Sequence, residues 1–359
     1  MRAAVAWEAG KPLEIVEMTL PEVGPRQVRV RMAASGVCHS DASVRDGHMP
    51  HPLPAVLGHE GAGIVEEVGE GVTRVRPGDH VVLTSVAPCR VCVACLSGQP
   101  FLCDHGLVDM FSLPPRTTAD GRSVMGGFGI ATFGEETLAI ERSVVPIDPD
   151  IPLEVAALVG CAVTTGVGAV LNTAQVRAGQ SVAVVGCGGV GLSVIQGARL
   201  AGAAPIVAVD LSGERLTLAS DLGATATVDA AGDSVASVRD LTGGRGADHV
   251  FEVVGRSATI RDAFSMTRRG GTLTVVGAGS PDDEVRFNAM ELFFDAKTIL
   301  GCMYGSADPE RDFPRFLSLY RAGRLDLDRL VTRRIRLDEV NDAFAAMEAG
   351  EGARSVIVY

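Results

Sequence analysis

The spacing of apolar and polar residues changes near residue 157. Before that point apolar positions come in short alternating runs, such as Val28-Val30-Met32 and Val81-Leu83, cut by Pro and Gly. Alternation puts successive side chains on opposite faces of a strand, so an antiparallel, β-rich domain is expected there. From about 158 the pattern becomes apolar run, glycine turn and helical spacing, repeated. Strands are expected over 181–186, 205–210, 225–229, 248–254, 271–277 and 297–302, with helices over 189–202, 213–222, 234–241 and 257–268. This alternation builds a doubly wound parallel sheet. Residues 312–323 and 338–349 read as amphipathic helices, and Ser355 to Tyr359 as a last strand. The expected class is α/β, with residues 1–157 a β-rich domain, 158–303 a dinucleotide-type domain and 304–359 a return to the first domain.

Composition narrows the class. The chain has 359 residues, 47% hydrophobic and 21% charged, which excludes disorder and fibrous structure. Its 32 basic and 44 acidic side chains leave a net charge of −12, which argues against nucleic acid and anionic membranes as partners. The start, Met1-Arg2-Ala3-Ala4-Val5, has no signal-peptide apolar block, and no eighteen-residue uncharged apolar run follows. A cytoplasmic protein is expected, and its eight cysteines are expected as thiols or metal ligands rather than disulfides.

Two motifs bring chemistry into this frame. The apolar run from Ser181 leads into Gly186-Cys187-Gly188-Gly189-Val190-Gly191 and then a helix, the context in which a glycine fingerprint binds a dinucleotide. Gly186 permits the turn, Gly188 lets the backbone approach a pyrophosphate, and Gly191 lets helix and strand pack closely. Unpaired N–H groups of the helix then face the phosphates. Asp210 ends the next strand, where its carboxylate can accept both ribose hydroxyls and would repel a 2′-phosphate; NAD is expected rather than NADP. The second motif is Cys89-x2-Cys92-x2-Cys95-x7-Cys103, in a lobe at about 88–104. Four soft ligands so close suit a closed tetrahedral zinc with a folding role. An iron–sulfur cluster is the rival, but its motif continues with a closer fourth Cys followed by Pro, whereas Asp104 follows here.

Cys38, His59 and Cys161 are too far apart for spacing to assemble them. Their surroundings are distinctive, however: Gly36-Val37-Cys38-His39-Ser40-Asp41, Gly58-His59-Glu60-Gly61-Ala62-Gly63 continuing to Gly69 and Val72, and Gly160-Cys161 followed by Thr165-Gly166. With the four-cysteine lobe and the glycine fingerprint in order, the whole chain resembles the zinc-containing medium-chain alcohol dehydrogenases. The resemblance implies a Rossmann domain beside a GroES-like catalytic domain. It implies a catalytic zinc on Cys38, His59 and Cys161 with a fourth position open to alcohol or water, hence two zinc ions per chain and hydride transfer between a small alcohol or aldehyde and NAD. Glu60 matches the carboxylate beside that zinc, Asp41 the acid that orients the histidine, and Ser40 the hydroxyl that takes the alcohol proton. His39 and Arg354 match pyrophosphate contacts, Arg215 a basic residue by the adenosine, and Thr165 and Val190 positions against the nicotinamide; Val276 is grouped with the cofactor-binding positions. Ser43 stands where many members carry a relay histidine, so the cofactor ribose with water, His48 or His51 would have to replace it. A lobe of intermediate length over 104–132 favours a homodimer over a tetramer. The Asp308-Pro309-Glu310-Arg311-Asp312 segment resembles members that include mycothiol-dependent formaldehyde dehydrogenases, which makes thiol-dependent oxidation of formaldehyde the second expectation. A non-catalytic dinucleotide-binding redox sensor is the third, disfavoured by an open metal site that a sensor does not need.

Overall fold

A computed structural model describes residues 1–359, the side chain of Leu107 excepted. The alternating N-terminal runs form two connected sheets. Five short strands, Arg2–Ala6, Glu14–Thr19, Arg116–Thr118, Ser123–Gly126 and Ala55–Val56, close a small barrel. Beside it lies a seven-stranded sheet centred on the long strand Gln27–Gly36. This strand pairs antiparallel with Glu60–Val68, Glu136–Ile140 and the C-terminal strand Arg354–Val358. Val28, Val30 and Met32 all turn inward, as their alternation requires.

The second half forms a six-stranded parallel sheet. Its spatial order is Ala226–Asp229, Ile206–Asp210, Val182–Val185, Ala247–Glu252, Thr267–Val275 and Thr298–Gly301. Numbered by sequence, that order is 3-2-1-4-5-6, the doubly wound arrangement, and every expected strand is present. The helices Gly189–Ala201, Gly213–Leu222, Ser234–Leu241 and Ser257–Met266 follow the expected spans closely. The strand order changes its direction of winding between the parallel neighbours Val182–Val185 and Ala247–Glu252, and the glycine loop opens at that switch point. Gly186 has φ +93°, and a Cβ on Gly191 would lie 1.9 Å from the Gly186 carbonyl oxygen, so only glycine lets this helix start so close to its strand.

Some elements differ from the sequence expectation. Thr267–Val275 begins four residues early, because Gly270 and Gly271 allow a register jump between the pairs Ala247–Thr267 and His249–Thr272. The amphipathic helix expected from 312 starts at Pro309, where Asp308 caps it by accepting the Glu310 N–H. The helices Leu153–Val159, Ala162–Gly168 and Ala289–Asp295 were not anticipated. The first two are almost wholly buried, so they lack the polar face that marks a helix in sequence. No single helix is long and apolar enough to cross a membrane.

Candidate metal centres and cofactor cleft

Pairing of two strands brings the first two residues of the triad together. Gly36 lies opposite Glu60, so Cys38, just past the end of one strand, meets His59, just before the other. Cys161 arrives separately, at the start of the helix Ala162–Gly168. One ligand atom from each of Cys38, His59 and Cys161 lies within 4.8 Å of the others. Asp41 is fully buried; its Oδ1 accepts from the Gly58 N–H at 2.9 Å and from His59 Nδ1 at 3.1 Å. With Nδ1 engaged in this way, Nε2 is the nitrogen left for a metal. Burial disfavours a charged imidazole at His59, but the Asp41 carboxylate and the Cys38 sulfur outweigh it and raise the pKa well above the ordinary value.

The thiols are equally perturbed. A hydrogen bond from Cys161 holds the Cys38 pKa well below the usual thiol range, helped by the Arg354 charge, while the same contact drives Cys161 upward. A metal bound between the two sulfurs would displace their thiol protons. Glu60 is buried beside them. Its Oε1 accepts from the Ala162 N–H at 2.9 Å and lies 3.3 Å from Arg354 Nη2, while its Oε2 has no partner. Burial pushes this carboxyl up to about 7 against the pull of Arg354. Two thiols and one oriented imidazole make a three-donor set that fits zinc with one tetrahedral position to spare, and the Glu60 carboxylate stands beside it.

The four-cysteine lobe is built differently. Cys89, Cys92, Cys95 and Cys103 also bring their sulfurs within 4.8 Å of one another, all from one loop. Backbone N–H groups serve the sulfurs: Cys89 Sγ accepts from Val91 and Cys92 at 3.4 and 3.3 Å, and Cys103 Sγ accepts from Cys89 at 3.2 Å. The Val91 N–H is the main cause that brings Cys89 down to about 6. Arg90 anchors the lobe through Asp308, at 2.7 and 2.6 Å, and Glu310, at 3.1 Å. The Asp308-Pro309-Glu310 segment thus receives the lobe.

The glycine loop approaches this centre, with Arg354 between them. Asp210 is pinned, its Oδ2 accepting from Cys187 N at 2.6 Å and its Oδ1 from Ser212 N at 2.9 Å. Arg354 donates to the Val37 carbonyl at 2.9 Å, and its Nε would lie 2.9 Å from a Cβ on Gly189, so its guanidinium spans the triad and the helix start. Arg215 donates to the Gly352 carbonyl at 3.0 Å, and His39 lies within reach of the Arg215 and Arg354 charges. Thr165 and Val190 are half-buried where two helices meet backbone to backbone: a Cβ on Gly166 would lie 2.4 Å from the Val190 carbonyl oxygen. Val276 follows its strand on the same edge, donating to the Glu252 carbonyl at 2.7 Å. Ser40 Oγ lies 4.0 Å from Cys38 Sγ.

Both ring nitrogens of His51 are engaged, Nδ1 with the Pro52 carbonyl at 2.8 Å and Nε2 with the Phe128 N–H at 3.3 Å, which leaves none to carry a proton onward. His48 sits on the exposed turn beyond the helix His39–Arg45. Sequence reasoning missed Phe128, whose ring stands 4.6 Å from that of His59 and whose φ is +51°. Its setting in Gly126-Gly127-Phe128-Gly129 was the available signal. It also missed Tyr304 and Thr84, which lie behind Cys161.

Known proteins agree with this architecture. Residues 24–149 match the alcohol dehydrogenase GroES-like domain, and residues 189–322 match the zinc-binding dehydrogenase domain. A putative alcohol dehydrogenase D of Mycobacterium tuberculosis is 39% identical over 99% of both chains. An S-(hydroxymethyl)glutathione dehydrogenase of Paracoccus denitrificans is 37% identical over 100% of this chain and 99% of its own. The crystal structure of benzyl alcohol dehydrogenase from Acinetobacter calcoaceticus superposes with a TM-score of 0.92 at 32% identity, covering 99% of this chain and 98% of that one. The chain belongs to the zinc-containing medium-chain alcohol dehydrogenase family, and it is an NAD-dependent zinc dehydrogenase of that family.

Proposed function

We infer that this enzyme oxidises free primary alcohols to aldehydes, or runs the reverse reaction, at the Cys38–His59–Cys161 centre, with a second, structural zinc on the four cysteines. The observation that carries the reading is the convergence of those three ligand atoms within 4.8 Å of one another. Zinc held there supplies a Lewis acid that lowers the pKa of an alcohol in its fourth position. Ser40, in the first helical turn after Cys38, supplies the hydroxyl that takes the alcohol proton. Asp41 fixes the His59 ring by its charge and hydrogen bond. Thr165, Val190 and Val276 would lie against the nicotinamide, while the glycine loop, His39 and Arg354 would hold the pyrophosphate and Asp210, with Arg215 nearby, would hold the ribose. With both His51 nitrogens engaged, Ser40 is the residue of this chain that would take the proton from the alcohol. Division at 157 and 303 makes a catalytic domain, a nucleotide domain and a returning tail, with the cleft between the first two. The exposed edge strand Thr298–Gly301 and the neighbouring Met290, Phe293 and Phe294 support a homodimer. Eight cysteines with no disulfide suit the cytoplasm.

The Paracoccus relative, named for a thiol adduct of formaldehyde, favours a second reading in which the substrate is such a conjugate. The deciding experiment follows NAD reduction by the purified protein with a panel of free primary alcohols, and separately with formaldehyde plus mycothiol or glutathione. Turnover of free alcohols without thiol is the expected result. Turnover only with thiol present would replace the first reading by the second.

A further inference from the structure

Cys161 is the triad ligand that strand pairing does not deliver. Its backbone, at φ −147° and ψ −69°, is neither helical nor extended, and its side chain does not cap the helix that follows. Two groups from elsewhere hold it. On one side Glu60 accepts the Ala162 N–H. On the other the Tyr304 hydroxyl donates to the Gly160 carbonyl and lies 3.1 Å from the Thr84 hydroxyl. Tyr304 and Thr84 are both buried.

The backbone that presents Tyr304 is unusual. Tyr304, Gly305 and Ser306 have φ of +52°, +66° and +48°, three successive left-handed residues of which one is glycine. Such conformations persist only where the surroundings over-determine them. Here they do. A Cβ on Gly305 would lie 2.3 Å from the Thr164 carbonyl oxygen, so the turn rests directly on the backbone of the helix that begins after Cys161. Asn172 donates to the Gly305 carbonyl at 3.3 Å, and the Ser306 and Thr173 hydroxyls lie 2.8 Å apart.

We propose that Tyr304 is a positioning residue for the Cys38–His59–Cys161 centre: by holding the Gly160 carbonyl, it fixes where the Cys161 sulfur meets the metal. This rests on the reading of the triad as a metal centre. The strained turn follows the last strand of the parallel sheet, so a segment 144 residues further along the chain contributes to the geometry of this ligand. Replacing Tyr304 by Phe keeps the ring and leaves the buried Gly160 carbonyl without its donor. The ligand peptide then gains freedom, and a centre with a loosely held ligand loses its ion faster.

The test compares the full-length parent with Tyr304→Phe and Thr84→Val, each loaded with zinc or, at the triad, with cobalt. Tyr304→Phe is expected to release the triad zinc to a chelator about tenfold faster than the parent and to shift the cobalt–thiolate absorption. It should also lower kcat about tenfold while leaving KM for NAD within about twofold. Thr84→Val removes the hydroxyl that holds the Tyr304 hydroxyl toward the Gly160 carbonyl, and so loosens that contact; it is expected to speed release by about two- to threefold and decides the matter if Tyr304→Phe does not fold. Parental release rates and cobalt spectrum in Tyr304→Phe, or a parental rate in Thr84→Val where only that variant folds, would overturn the proposal. If the parent shows no cobalt absorption that Cys161→Ala abolishes, the metal reading itself falls and this inference with it.

Discussion

The two cysteine-containing centres gather their ligands by opposite means. Cys89, Cys92, Cys95 and Cys103 come from one loop, and the Cys89 and Cys103 sulfurs accept from that loop's own N–H groups. Cys38, His59 and Cys161 come from three segments, and the groups around them are buried charges: Asp41, Glu60 and Arg354. A centre with four local sulfurs is closed and needs only its loop to exist. A centre with three dispersed ligands leaves a position free, and its neighbours must hold each ligand against the freedom that position brings. On the proposed reading, the difference separates a site that stabilises structure from one suited to chemistry. Arg354 illustrates the cost of the second kind, since one guanidinium serves Glu60, the Val37 carbonyl and the start of the cofactor helix at once.

Substitutions at matched positions would break or sharpen this contrast. Cys161→Ala is expected to cut kcat by about 10³-fold or more, remove one zinc per chain and leave the fold intact. Near-normal turnover would show that the three-residue centre is not where the reaction occurs. Asp41→Asn keeps the side chain's shape but removes the charge facing His59; zinc affinity of the triad, measured by chelator competition, should fall about 10- to 100-fold while the four-cysteine ion is retained. Equal loss from both centres would erase the distinction. Cys95→Ser should have the smallest effect on chemistry, with kcat/KM within about threefold, and should instead lower the melting temperature by several degrees. A soluble variant melting like the parent would remove the structural role from that lobe.

Legibility in sequence followed the range of the interactions. The six strands of the parallel sheet and the four helices between 189 and 268 were readable because apolar period and glycine turns are local properties. The four-cysteine loop was readable for the same reason. Asp41, Glu60 and Arg354 entered only through resemblance, since an acid or arginine in sequence has the spacing of an ordinary surface charge, and only the fold shows all three buried. Phe128 and Tyr304 had no periodic signal, because their importance depends on left-handed backbone and on partners far away along the chain.

By itself, the sequence determined the α/β architecture, the glycine loop with its acidic strand end, and one compact cluster of soft ligands, because each is written within a few dozen consecutive residues. The tertiary structure alone decided that Cys38, His59 and Cys161 meet, that Asp41 faces Nδ1 of His59, that both nitrogens of His51 are engaged, and that Tyr304 reaches the Gly160 carbonyl. Those arrangements depend on which strands pair and which backbones touch, and burial then turns modest local charges into strongly coupled ones.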